Sequence, residues 1–140
     1  MKILKGFLLI SLFIISFLAG ISTYKATLWY GWEQAVGSDL NAILFWSILA
    51  YGIVLVPLYL YVCAIVRTRQ LNPYIKLALY PFACAALFIL PTAFMMMFFG
   101  GGRLISAEAQ LFYAFFASSG VVFGLGYGAI QGLSRRYRTV

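Results

Sequence analysis

Four stretches of the chain stay apolar long enough to form membrane-crossing helices: residues 4–21, 42–66, 77–99 and 111–133. A helix needs about 20 residues to cross a hydrocarbon layer roughly 30 Å thick, and each run is close to that length or beyond it. The runs are continuous, whereas the strands of a membrane barrel alternate polar and apolar positions over about ten residues. Backbone groups in lipid must be satisfied internally, so continuous runs predict helices. The expected fold is an all-α integral membrane protein, a four-transmembrane-helix bundle forming a single domain over residues 1–140.

Two helix starts are legible. Asn72 is a candidate N-cap for the third span, with Pro73 at the first helical position, where a missing N–H does no harm. Ser106 is placed to cap the fourth, and Glu108 falls in its first turn, facing the positive end of the helix dipole. Pro57, Pro81 and Pro91 lie inside spans. Each removes one backbone hydrogen bond, which makes these positions candidate hinges. Tyr51 and Tyr59, two turns apart in the second span, need hydroxyl partners at depth. The carbonyls freed by the prolines, those of Ile53, Leu77 and Leu87, are the expected acceptors.

The segment between the first two spans is too polar to cross and too aromatic to be an ordinary loop. Leu28, Trp29, Trp32, Ala35 and Val36 recur at three- and four-residue intervals, which predicts a short interfacial helix over residues 24–36. Trp29, Tyr30 and Trp32 suit headgroup depth, and Trp29, Trp32 and Glu33 form a candidate extracytoplasmic docking surface. The first span has a second reading. Lys2 and Lys5 precede a short apolar core, with Gly20 and Ser22 near its end, as in a cleavable signal peptide. A retained first helix is the expectation here, with cleavage as the alternative.

The most distinctive pattern is Gly120, Gly124, Gly128 and Gly132, four glycines at four-residue spacing in the last span, preceded by Ser118 and Ser119. Glycine costs a helix about 1 kcal/mol relative to alanine, so such a ridge implies a compensating close approach of another helix. These six residues are the candidate helix-packing or partner surface.

Composition and charge change the picture in two ways. With 64% hydrophobic and 9% charged residues, the 140-residue chain cannot hide its apolar surface in a water-soluble globule. Lys2, Lys5, Arg67, Arg69, Lys76, Arg135, Arg136 and Arg138 fall on one side of a four-span arrangement, without any acid; the other side holds Lys25, Arg103, Glu33, Asp39 and Glu108. The positive-inside rule then places both termini in the cytoplasm, and the protein in the cell membrane, which is the inner membrane if the source is bacterial. The net charge of +7 reports topology and contact with anionic headgroups; no nucleic-acid partner is expected.

Candidate chemistry is sparse. The sequence lacks histidine, which removes histidine triads and the common imidazole-ligated haem and zinc sites. Its carboxylates are confined to loops and helix starts. Cys63 and Cys84 read as buried packing thiols, and consecutive Met95, Met96 and Met97 point about 100° apart on a helix, so their sulfurs do not converge on a metal. No catalytic, metal or cofactor site is expected. The expectation is a small non-enzymatic polytopic protein whose partners are the bilayer and either another membrane protein or itself. It would act by intramembrane helix contact, as an accessory or assembly subunit or a toxin-immunity protein. The alternative is a homo-oligomeric channel or carrier for an ion or small solute.

Overall fold

A computed structural model of the chain describes residues 2–33, 40–99 and 104–136. Every regular element among them is helical: α1 (Lys2–Trp32), α2 (Leu40–Ala50), a π-helical turn (Tyr51–Leu55), α3 (Val56–Thr68), α4 (Pro73–Phe99) and α5 (Ala107–Arg136). Four segments are long and apolar enough to cross a membrane: Ile3–Gly31, Leu44–Thr68, Pro73–Phe99 and Ala109–Ser134. The protein is therefore built as a multi-pass membrane protein, with α2, the π turn and α3 together making the second span.

Both caps form. Asn72 Oδ1 accepts from the Tyr74 N–H at 3.2 Å and α4 begins at Pro73; Ser106 Oγ accepts from the Ala109 N–H at 3.2 Å at the start of α5. The first span differs from expectation. No break follows residue 21, because α1 runs on to Trp32, and residues 24–32 are its last turns rather than a separate interfacial helix. The polar residues that suggested the end of the span are satisfied within the helix. The hydroxyls of Ser22, Thr23 and Thr27 donate to the carbonyls of Leu18, Ala19 and Thr23 one turn back, at 2.7, 3.1 and 2.8 Å. At 1.5 Å per residue α1 is about 46 Å long, more than the hydrocarbon layer requires, so it extends to headgroup depth. It stops at Glu33, which adopts φ 50° while its N–H donates to the Trp29 carbonyl at 3.1 Å, the left-handed ending usually taken by glycine. Ala35 and Val36 of the expected interfacial face lie outside the described residues.

The π turn was not anticipated. Val56 N–H donates to the Tyr51 carbonyl, five residues back. Pro57 has no N–H to offer the carbonyl of Ile53, and widening one turn accommodates that gap. The turn also aligns the buried face. Tyr51, Leu55, Tyr59 and Cys63 are all buried at four-residue steps, a spacing that drifts about 40° per step on a regular α-helix. A wider turn takes back part of that drift.

Within the bundle α5 occupies the central place, packed along α4 on one side and α1 on the other, while α3 lies against α4 and touches α5. The buried core joins Leu12 and Phe17 of α1, Tyr51 to Val66 of the second span, Tyr80 and Cys84 of α4, and Phe123, Tyr127 and Ile130 of α5.

Candidate functional site

The glycine ridge of α5 has a partner inside the chain. A Cβ built on Gly120 would lie 2.7 Å from the Ala85 backbone, and one on Gly124 would collide with the Pro81 backbone and the Tyr80 carbonyl carbon. A Cβ on Gly128 would stand 2.8 Å from Leu77 Cδ1. The facing positions 85, 81 and 77 descend by four as 120, 124 and 128 ascend by four, so two antiparallel helices meet along matching four-residue rows. Gly132 would continue the row, but its Cβ would meet nothing within 4 Å. The ridge is thus an internal seam over three of its four positions. That removes Gly120, Gly124 and Gly128 from the surface open to a partner in this fold, and the reason is the row of Leu77, Pro81 and Ala85 on α4.

The other face of α5 meets α1 through a second pair of close approaches. Gly126 sits under Leu12, and a Cβ on Gly20 would lie 2.7 Å from the Phe115 ring. Neither glycine belongs to the four-residue repeat. Ser118 lies on this face: its hydroxyl is 2.6 Å from that of Thr23, whose oxygen also stands 3.2 Å from the Ala114 carbonyl oxygen, an alternative acceptor for its one proton.

Deeper in the bundle runs a chain of buried hydroxyls and thiols. Tyr51 donates to Ser16 Oγ at 2.7 Å, Tyr59 pairs with Ser119 Oγ at 3.3 Å, and the Cys63 and Cys84 sulfurs stand 3.5 Å apart. The expected acceptors for the tyrosines, the carbonyls of Ile53, Leu77 and Leu87, are not the partners found. A tyrosine side chain projects away from its own helix axis, and on the inward face it meets a small serine on a neighbouring helix before any freed carbonyl. Ser16 and Ser119 in turn donate back to Phe13 and Phe115 carbonyls at 3.1 and 2.7 Å, so each serine bridges a tyrosine to its own helix. Tyr59, Cys63, Cys84, Ser16 and Ser119 are 0% exposed. The rings close the remaining space, with Tyr59 5.1 Å from Phe123 and Tyr51 5.3 Å from Phe17.

No protein family, curated protein or solved structure matches the chain. The hydroxyls are paired with one another and with carbonyls, the thiols with each other, and none of these groups sits beside a base or a cation that would activate it. Among the described residues no cluster of three or more histidine, cysteine or carboxylate groups converges as a metal site. The arrangement fixes helix register: each pair ties the second span or α4 to a particular level of α1, α3 or α5.

The remaining candidates are dispersed. Pro57 is the second residue of α3 and is exposed; Pro81 is clamped by Gly124; Pro91 lies exposed on α4. Pro81 is in the tightest seam of the bundle rather than at a free hinge. Trp29 and Glu33 are exposed at the end of α1, and Trp32 belongs to its last turn, with its side chain outside the described set. Met95 and Met97 face outward from α4 beside the Phe94–Phe98 ring pair, whose centroids are 4.4 Å apart.

Proposed function

We propose that the protein is a small non-enzymatic membrane subunit that works by helix contact with another membrane protein, and that α2 is the contacting element. One observation supports this choice above the rest. Whereas α5 is gripped by helices on two sides, among the described residues no other helix packs extensively on α2, which is joined to the bundle by continuing into the π turn. It carries Phe45 and Trp46 outward as an edge-to-face pair 5.7 Å apart, with Trp46 69% exposed. Aromatic anchors of this kind dominate binding energy where they are buried by a partner. The filled interior argues in the same direction: Tyr51, Tyr59 and Phe123 occupy the axis along which a monomer would have to conduct.

In this reading the end bearing Arg67, Arg69 and Lys76 faces the cytoplasm, both termini lie on that side, and α2 begins near the opposite face. The role is that of an accessory or assembly subunit, or of an immunity protein that meets a membrane toxin within the bilayer. Photo-crosslinking from position 46 in native membranes tests it, with Phe82, an exposed residue on α4, as the control position. A discrete adduct of foreign mass from position 46 and none from 82 is the expected result. An adduct of twice the chain's mass would instead support the homo-oligomeric channel or carrier, and equal diffuse labelling from both positions would show α2 to be plain lipid-facing surface.

A further inference from the structure

The second span changes character at Tyr51. From there on Tyr51, Leu55, Tyr59, Cys63 and Val66 are buried in the bundle, whereas none of residues 44–50 is buried. A helix packed along one side buries a residue in nearly every turn, so residues 44–50 lack a packed side. α2 is therefore an arm of 11 residues carried by the π turn, about 16 Å long at 1.5 Å per residue.

Where the arm meets the rest of the span, the backbone ladder is interrupted. Pro57 offers no N–H, and the Val56 N–H reaches past Gly52 to the Tyr51 carbonyl. The proline's bond is missing whichever width the turn takes, so a change of bend here disturbs less than it would in an unbroken helix. Such π turns inside helices occur frequently at functional sites. A change of bend of about 20° would carry the far end of α2 through about 6 Å.

The turn itself is held from one side. The Tyr51 hydroxyl donates to Ser16 Oγ at 2.7 Å, and its ring lies 5.6 Å from Phe13 and 5.3 Å from Phe17. A Cβ on Gly52 would meet the Phe13 ring at 3.5 Å, ordinary contact distance. These groups lie within about one turn of α1, so α1 grips the span at the level of Tyr51, and among the described residues no helix grips it extensively along α2. A single hydroxyl bond inside a bilayer is worth little, enough to bias a position and too little to lock it.

We propose that residues 51–57 form a pivot on which α2 swings relative to the bundle, with the Tyr51–Ser16 hydrogen bond as its catch. Its use rests on the role given to α2 above: a partner that takes up Phe45 and Trp46 draws the arm toward itself without unpacking Tyr59, Cys63 and Cys84. The pivot needs no partner, and is measured without one.

The test places nitroxide pairs on the full chain in lipid nanodiscs and reads distances by double electron–electron resonance. Phe45→Cys with Phe82→Cys spans the pivot, and Ile65→Cys with Phe82→Cys lies beside it; all three positions are exposed, while the native Cys63 and Cys84 are buried away from the label. The expected distance distribution from position 45 is at least about twice as wide as that from position 65. Tyr51→Phe and Ser16→Ala should each widen or shift it, because each removes one half of the catch. Pro57→Ala restores the missing donor and should narrow it toward the control width, and the distances from position 65 should stay the same in all variants. A wild-type distribution from position 45 as narrow as the control, or one that neither the catch variants nor Pro57→Ala alter, would overturn the proposal. The two readings fail separately: a mobile α2 that captures no partner from position 46 keeps the pivot and loses the partner role, whereas a rigid α2 that captures one keeps the role and overturns the pivot.

Discussion

α5 and α2 are both apolar helices in one bundle, yet they are held by different means. α5 gives up side chains where it meets its neighbours. Gly120 and Gly124 let the α4 backbone come within a distance that any Cβ would block, and Gly126 does the same for Leu12 of α1. α2 keeps its large side chains, turns Phe45 and Trp46 outward and is carried as the continuation of the π turn and α3, without extensive packing on another helix among the described residues. In a bilayer the hydrophobic effect does not separate these cases, because lipid is as apolar as leucine. Dispersion contact and register-setting hydrogen bonds do. The difference shows that the most conspicuous sequence feature, the glycine row, packs within the monomer, and it leaves the bulky residues of α2 as the surface proposed above for a partner.

The sharpest way to break this contrast is to fill the seam. Gly124→Leu should abolish the folded monomer, a loss above about 3 kcal/mol, since even its Cβ meets Pro81 backbone that cannot yield. Size-exclusion chromatography and circular dichroism would show it. Gly128→Ala should be milder, about 1 kcal/mol, because the obstructing atom is the flexible end of Leu77.

Next come the hydroxyl bridges. Tyr51→Phe and Tyr59→Phe together should cost about 1–2 kcal/mol in unfolding from mixed micelles, at the modest per-bond value typical of membrane interiors. An effect confined to one tyrosine would mean the two pairs are not equivalent ties. Glu33→Gly should raise stability by about 1 kcal/mol by relieving the left-handed residue at the end of α1. Smallest for the monomer is the pair Phe45→Ala and Trp46→Ala. Each should change unfolding by less than about 0.5 kcal/mol while reducing co-purification of the partner, which would separate a partner surface from a packing surface.

How much of this was readable in advance depends on whether the cause was local. The four spans, the Asn72 and Ser106 caps and the burial of Cys63 and Cys84 follow from composition and short-range chemistry, and all are present. The unbroken passage of α1 from its span into residues 24–32, expected as a separate interfacial helix, is hidden in the sequence because Ser22, Thr23 and Thr27 resemble the end of a span until their back-bonds to the previous turn are counted. The π turn has its sequence signal in Pro57, which by itself marks only a candidate hinge. The seam's partner also left a trace, since Leu77, Pro81 and Ala85 repeat at the same interval as the glycines. What no single-chain pattern could supply was which helix lies opposite which serine. Ser16 and Ser119 are ordinary in sequence, and only the packing of three helices makes them the acceptors for Tyr51 and Tyr59.

The central claim, that the glycine row is an internal seam, is tested most directly by comparing Gly124→Ala with Gly132→Ala. Unfolding would be followed in detergent at dilutions where the protein is monomeric. The fold described here predicts that Gly124→Ala loses about 2 kcal/mol or more, while Gly132→Ala, which meets open space, is unchanged or gains up to about 1 kcal/mol. Equal responses at the two positions, or a loss at Gly124 that appears only at concentrations where oligomers form, would contradict it.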